Sequence, residues 1–152
     1  MNVQGDIAGA AMINGSGLLP FVLRADGRFQ VLRSAHGVPL SGEASAIDAS
    51  GVVYGAVGTM GSSSTSLFSY EGGPDMTLFG DGYDQIRAVS PSGLLVGCRF
   101  SAEDSSIGQP VVFRNRGSVS ISPSLRGCLT AVNEAGVAVG GFRTANEIGA
   151  YL

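Results

Sequence analysis

The apolar residues of this chain fall in short runs, separated by polar gaps that contain glycine. Val52-Val53-Tyr54, Leu67-Phe68-Ser69-Tyr70, Val111-Val112-Phe113 and Val137-Ala138-Val139 are typical. Such runs are rich in β-branched and aromatic residues and bounded by turn formers, which predicts strands. No segment sustains a 3.6-residue apolar period between helix caps, so no helix is expected.

The gaps repeat a phrase. Asn2-x-x-Gly5-Asp-Ile-Ala-Gly9 returns as Asp48-x-x-Gly51-Val-Val-Tyr-Gly55, as Ser90-x-x-Gly93-Leu-Leu-Val-Gly97 and as Asn133-x-x-Gly136-Val-Ala-Val-Gly140. An interval of roughly 40–45 residues signals repeat architecture. One predicted strand ends at each phrase (Ala46-Ile47, Ala88-Val89, Ala131-Val132), and a second follows its first glycine. A third covers Phe21-Val22-Leu23, Leu67 to Tyr70 and Val111-Val112-Phe113. A fourth covers Phe29 to Leu32, Met76 to Phe79 and Val119-Ser120-Ile121.

The turns carry their own chemistry. Asn/Asp/Ser-x-x-Gly fits a type I turn whose glycine takes positive φ and forms a bulge. Asp26-Gly27, Gly72-Gly73 and Arg116-Gly117 stand between third and fourth strands, and Asn14-Gly15 between the second and third of the first unit. Consecutive strands are therefore expected to be antiparallel neighbours in four-stranded meanders. The phrase corners and the Asp-Gly-type turns share one end. The variable connections, roughly 33–45, 58–65, 79–85, 99–109 and 142–149, share the other, where binding is more often found.

The expected fold is all-β, an open or partial β-propeller of repeated antiparallel meanders. A β-trefoil is the alternative, but a fourth copy of the phrase exceeds its threefold need. The chain forms one repeat domain, 1–152, of about three and a half units (roughly 2–47, 48–89, 90–132 and 133–152). Its ragged phase at both ends reads as a fragment of a longer array. The exposed sheet edges would invite self-association.

Ala46-Ile47-Asp48-Ala49-Ser50-Gly51-Val52-Val53-Tyr54-Gly55, followed by Leu67-Phe68-Ser69-Tyr70-Glu71-Gly72, resembles the HAF repeat of bacterial extracellular proteins. Ala131 to Gly140 carries the same pattern. The resemblance covers nearly the whole chain. It implies a secreted or cell-surface bacterial protein with no established catalytic role.

Composition narrows the function classes. With 44% hydrophobic and 14% charged residues, the chain has the means to bury a core. Net charge is −3 and all nine basic residues are arginines scattered along the chain, so no nucleic-acid partner is expected. No apolar run is long enough for a membrane-spanning helix, and Met1 to Gly5 lacks the pattern of a secretory leader. Cys98 and Cys128 are either two buried thiols or one staple between neighbouring repeats, which only an oxidising compartment would preserve.

Candidate chemistry is sparse. His36 is the lone histidine, no Gly-x-Ser-x-Gly elbow accompanies it, and Cys98, Cys128 and His36 lack zinc-site spacing. No catalytic residue, metal or cofactor is therefore expected. Gly15-Ser16-Gly17 and the Gly55, Gly58, Gly61 series read as turns, since no helix follows to hold a phosphate. Asn14-Gly15-Ser16 matches a glycosylation acceptor but is better explained as a hairpin turn. Tyr83 between Asp81 and Asp84 would suit a sugar, a ring face flanked by polar acceptors. Asp81 and Asp84 also offer carboxylate oxygens to Ca²⁺, but the regular alternation of acids is missing and the other units have no matched set. Glu103 and Asp104 complete the candidate ligand-binding residues at the variable end. The leading expectation is a non-enzymatic module for adhesion or protein interaction. A glycan-binding module comes second, and a polysaccharide-cleaving enzyme using Asp81, Asp84, Glu103 or Asp104 third.

Overall fold

A computed structural model describes residues 1–13, 17–34, 40–59, 65–80, 82–101, 108–114, 116–143 and 148–151. The chain is all-β in these residues. Strands β1 (Ile7–Met12), β2 (Leu18–Leu23) and β3 (Phe29–Val31) form a first sheet. A second contains β4 (Leu40–Ile47), β5 (Val53–Thr59), β6 (Thr65–Tyr70) and β7 (Thr77–Phe79). A third contains β8 (Asp84–Val89), β9 (Leu95–Arg99), β10 (Gln109–Arg114) and β11 (Gly117–Ser120). A fourth contains β12 (Arg126–Val132), β13 (Ala138–Arg143) and β14 (Ile148–Tyr151). Each sheet is an antiparallel meander in sequence order.

The phrase is the corner leading into β1, β5, β9 or β13, and in the second, third and fourth sheets it joins two paired strands. Its first glycine has positive φ every time: Gly5 at 90°, Gly51 at 87°, Gly93 at 87° and Gly136 at 79°. The glycine N–H donates to the carbonyl of the first phrase residue. That residue's side chain then accepts the N–H four positions on. Asp6 N–H reaches Asn2 Oδ1 at 2.9 Å, Val52 N–H reaches Asp48 Oδ1 at 3.0 Å, Leu94 N–H reaches Ser90 Oγ at 2.9 Å, and Val137 N–H reaches Asn133 Oδ1 at 2.9 Å. Asn, Asp and Ser interchange there because the corner asks only for a short side chain ending in an acceptor oxygen.

The first strands share a second device. The register slips between Ala44 and Ala46, between Ile86 and Ala88, and between Leu129 and Ala131. Ser45, Arg87 and Thr130 are the extra residues, pushed out of the ladder and exposed.

The sheets stack face to face. One core cluster joins Val22 and Leu32 of the first sheet's side to Val53, Val57, Phe68, Tyr70 and Met76 of the second. Another joins Leu67, with Tyr54 and Phe79 packed against it, to Ile86, Leu95, Val111 and Phe113 of the third. The second sheet is thus covered on both faces, and β6 runs Leu67-Phe68-Ser69-Tyr70 buried throughout instead of alternating. Cys98 on β9 and Cys128 on β12 form a disulfide, with Cα atoms 4.8 Å apart, that ties the third sheet to the fourth.

Candidate functional site

The stacking sets β4 against β1 and β2 and brings the first strands of the later sheets together, β8 against β4 and β12 against β8. Between β4 and β8 this leaves a concavity of about 500 Å³. Its walls include Ser41, Glu43 and Ser45 from β4 and Gln85 and Arg87 from β8. It reaches Leu18 and Thr65, where β2 and β6 begin, so it extends toward the variable end. Ser45 and Arg87 face it because the bulges eject them from their ladders. Glu43 and Arg87 form no ion pair among the described residues. The groove therefore offers an anionic and a cationic side chain and several hydroxyl or amide groups along two edge strands. Two smaller hollows, about 190 and 220 Å³, lie at the corner end, beside Gly93 and Arg116 and beside Asn2 and Pro91.

The residues singled out from sequence are distributed differently. Tyr83 is exposed, and its carbonyl accepts the Phe100 N–H at 2.8 Å. The Thr65 hydroxyl, which lines the groove, donates to the Gly82 carbonyl at 3.2 Å, so the Tyr83 segment adjoins one end of the concavity. Asp84 is not in a loop. It opens β8, is buried, and sits directly across from Arg99, whose Nε and Nη2 donate to its two oxygens at 3.0 and 3.3 Å. A buried carboxylate held by two charge-assisted bonds is committed to structure. Asp81, Glu103, Asp104, His36 and the segment Asn14-Gly15-Ser16 lie outside the described residues.

Other polar clusters serve the corners. Asp48 Oδ1 accepts the Ser50 N–H and hydroxyl, and its Oδ2 accepts the Tyr54 hydroxyl at 3.2 Å. Burial, reinforced by the Asp48 carboxylate, pushes the Tyr54 phenol up to about 12. Asp6 accepts the Ala25 N–H at 2.9 Å and the Arg24 guanidinium at 3.1 Å. With Asn2, these bonds hold the Asp6 carboxyl below its ordinary 3.8, against the opposing effect of burial. Arg24 also donates to the Gly51 carbonyl, Asn2 to the Asp48 carbonyl and Gln4 to the Ala49 carbonyl, so these groups fasten the first sheet's corner to the second's.

Sequence patterning alone did not point to Glu43, Ser45, Gln85 and Arg87. A signal exists: a polar residue precedes Ala-Ile/Val before each later phrase, as Ser45-Ala46-Ile47, Arg87-Ala88-Val89 and Thr130-Ala131-Val132. No protein-family model, no curated protein and no solved structure matches this chain.

Proposed function

We propose that the chain is a non-enzymatic binding module for protein interaction or adhesion, whose binding surface is the groove between β4 and β8. The carrying observation is the set of exposed side chains there: Glu43 and Arg87, without ion-pair partners among the described residues, alternate with Ser45 and Gln85 along adjoining edge strands. An extended polypeptide suits such a surface, because a strand edge supplies main-chain groups and flanking side chains of both signs read its sequence.

Successive meanders stacked face to face, with first strands adjacent, suit the blades of an open or partial β-propeller better than a trefoil. The recurring corner supports membership of the HAF-repeat family. The Cys98–Cys128 disulfide supports an extracellular or cell-surface location, since such bonds persist in oxidising compartments.

Selection from a displayed random-peptide library tests the binding surface. Enriched peptides should bind the purified protein, and Arg87→Glu or Glu43→Lys should weaken that binding by roughly tenfold or more. Failure to enrich, or binding indifferent to both substitutions, sinks the proposal. A glycan array that instead reports binding lost on Tyr83→Ala and kept in Arg87→Glu establishes the lectin alternative, for which the exposed Tyr83 ring beside the groove is the supporting feature.

A further inference from the structure

The first sheet has a face that no other described part of the chain covers. Val22 and Ala8 turn toward the second sheet, so by strand alternation Ile7, Ala11, Leu19, Phe21, Leu23 and Phe29 turn the other way. Among the described residues, the strand positions that share this face with them, Gly9 and Val31, carry no charged or polar side chain. Ile7 is 41% exposed and Phe29 52%, and the Phe21 and Phe29 rings lie 5.0 Å apart, forming an apolar ridge. Contiguous exposed apolar surface of this kind marks an interaction site.

The rest of the molecule shows what fits it. Register places Ile7 opposite Leu23, as Val53 is opposite Tyr70 and Leu95 opposite Phe113. Phe21 is opposite Gly9, as Phe68 is opposite Gly55 and Val111 opposite Gly97. In the second and third sheets these positions are buried, each set packed on the reverse face of the preceding sheet. The first sheet therefore presents, without cover from any described residue, the surface that its successors place against a neighbouring sheet of the same build.

The fourth sheet presents the matching reverse side, small and apolar at its corner end and carrying the exposed Arg126 and Arg143 farther along β12 and β13. Leu129 turns inward and is buried. On the opposite side Ala131 is exposed, paired with Val139, and a side chain added at Gly141 would meet open space. This is the reverse face, of the sense that the first and second sheets offer to their followers.

We propose that copies of this chain associate head to tail, the outer face of β12–β13 in one copy packing on the Ile7–Phe21–Phe29 face of the next. The contact is face to face, in contrast to pairing along sheet edges. It is heterologous: two different surfaces meet, so copies close into a ring or extend as a filament. It is independent of the groove.

Sedimentation across a wide concentration series tests it, with circular dichroism as the check on folding. The native chain should associate. Phe29→Glu and Gly141→Arg, both at exposed positions, should each weaken association by roughly 30-fold or more. Mixing the two variants is the decisive step. Each retains the face the other lacks, so the mixture should form a one-to-one heterodimer and stop there. A chain that is monomeric at every concentration overturns the proposal. So does association that both variants leave intact, or a mixture of folded variants that does not recover pairing. Val119→Glu, exposed on the outer edge strand β11, should have no effect; loss of association there with Phe29→Glu unaffected would assign the contact to an edge and overturn the face.

Discussion

Gly55, Gly97 and Gly140, the last residues of three phrase copies, face first strands at their bulges. A Cβ on Gly97 would overlap the Gln85 carbonyl oxygen, and on Gly55 or Gly140 the carbonyl oxygens of Glu43 or Cys128. Backbone cannot yield there as a flexible side chain would. The bulge brings the two strands too close for anything but hydrogen at that carbon, and so fixes the glycine. Gly9 is different because no described strand pairs with β1 on that side; an added Cβ meets the Phe21 ring at 3.1 Å. Gly97→Ala is therefore expected to destabilise by about 3 kcal/mol or more, through displaced backbone. Gly9→Ala should cost about 1 kcal/mol, since a partly exposed ring can shift. Chemical denaturation of both variants checks this, and equal losses would refute the bulge as the cause.

At the scale of elements, the third and fourth sheets are held by an additional device. Gly127 N–H donates to the Gly108 carbonyl at 2.7 Å, placing β12 beside the start of β10. Gly108 leaves room for the disulfide: a Cβ there would come within 2.9 Å of Cys98 Cβ and 3.3 Å of Cys128 Sγ. The bond closes a loop with a sequence separation of 30, and in the chain-entropy account such a loop contributes about 3–4 kcal/mol. Replacing both cysteines with serine should lower global stability by about that amount. Hydrogen exchange should rise first in β12 and β13, while β5 and β6, buried on both faces, stay protected. Uniform acceleration across all sheets would contradict a local staple.

The same scale shows what the chain's pattern revealed and what it hid. Strands and corners were legible, since each rests on residues within a few positions: the acceptor at the start of the phrase, the glycine three on, the apolar run beyond. One turn departs in detail. Arg116, at φ 66°, takes the positive conformation that Gly27 and Gly72 take elsewhere. The site was less legible because its determinants are distant in sequence. Asp84 reads as a loop acid beside Tyr83, yet its partner Arg99 stands across a ladder, 15 residues away. Glu43 and Arg87 meet one groove only because two sheets stack, and no local pattern encodes that.

For the whole molecule, the organisation is a line of interfaces more than one shared core. Val22 belongs to the cluster between the first and second sheets, and Val111 to the cluster between the second and third. Both are fully buried. The second sheet separates them, Phe68 and Tyr70 facing one way and Leu67 the other. In such an array stability is approximately a sum of unit and nearest-neighbour contributions. Val22→Ala and Val111→Ala should each cost about 2 kcal/mol, from lost burial and the cavity left behind. Combined, their costs should add to within about 0.5 kcal/mol, because they share no packing partner. Val22→Ala combined with Phe68→Leu, in one cluster, should depart from additivity by more than that, as the two positions relax into a common space. Denaturant titration of the singles and doubles decides it. Strong coupling between Val22 and Val111 would mean that the second sheet shifts as a rigid plate, transmitting strain from one face to the other. Its large buried side chains oppose that: Phe68 and Leu67 sit at successive positions of β6 but pack into separate neighbours, so each face can relax against its own partner sheet.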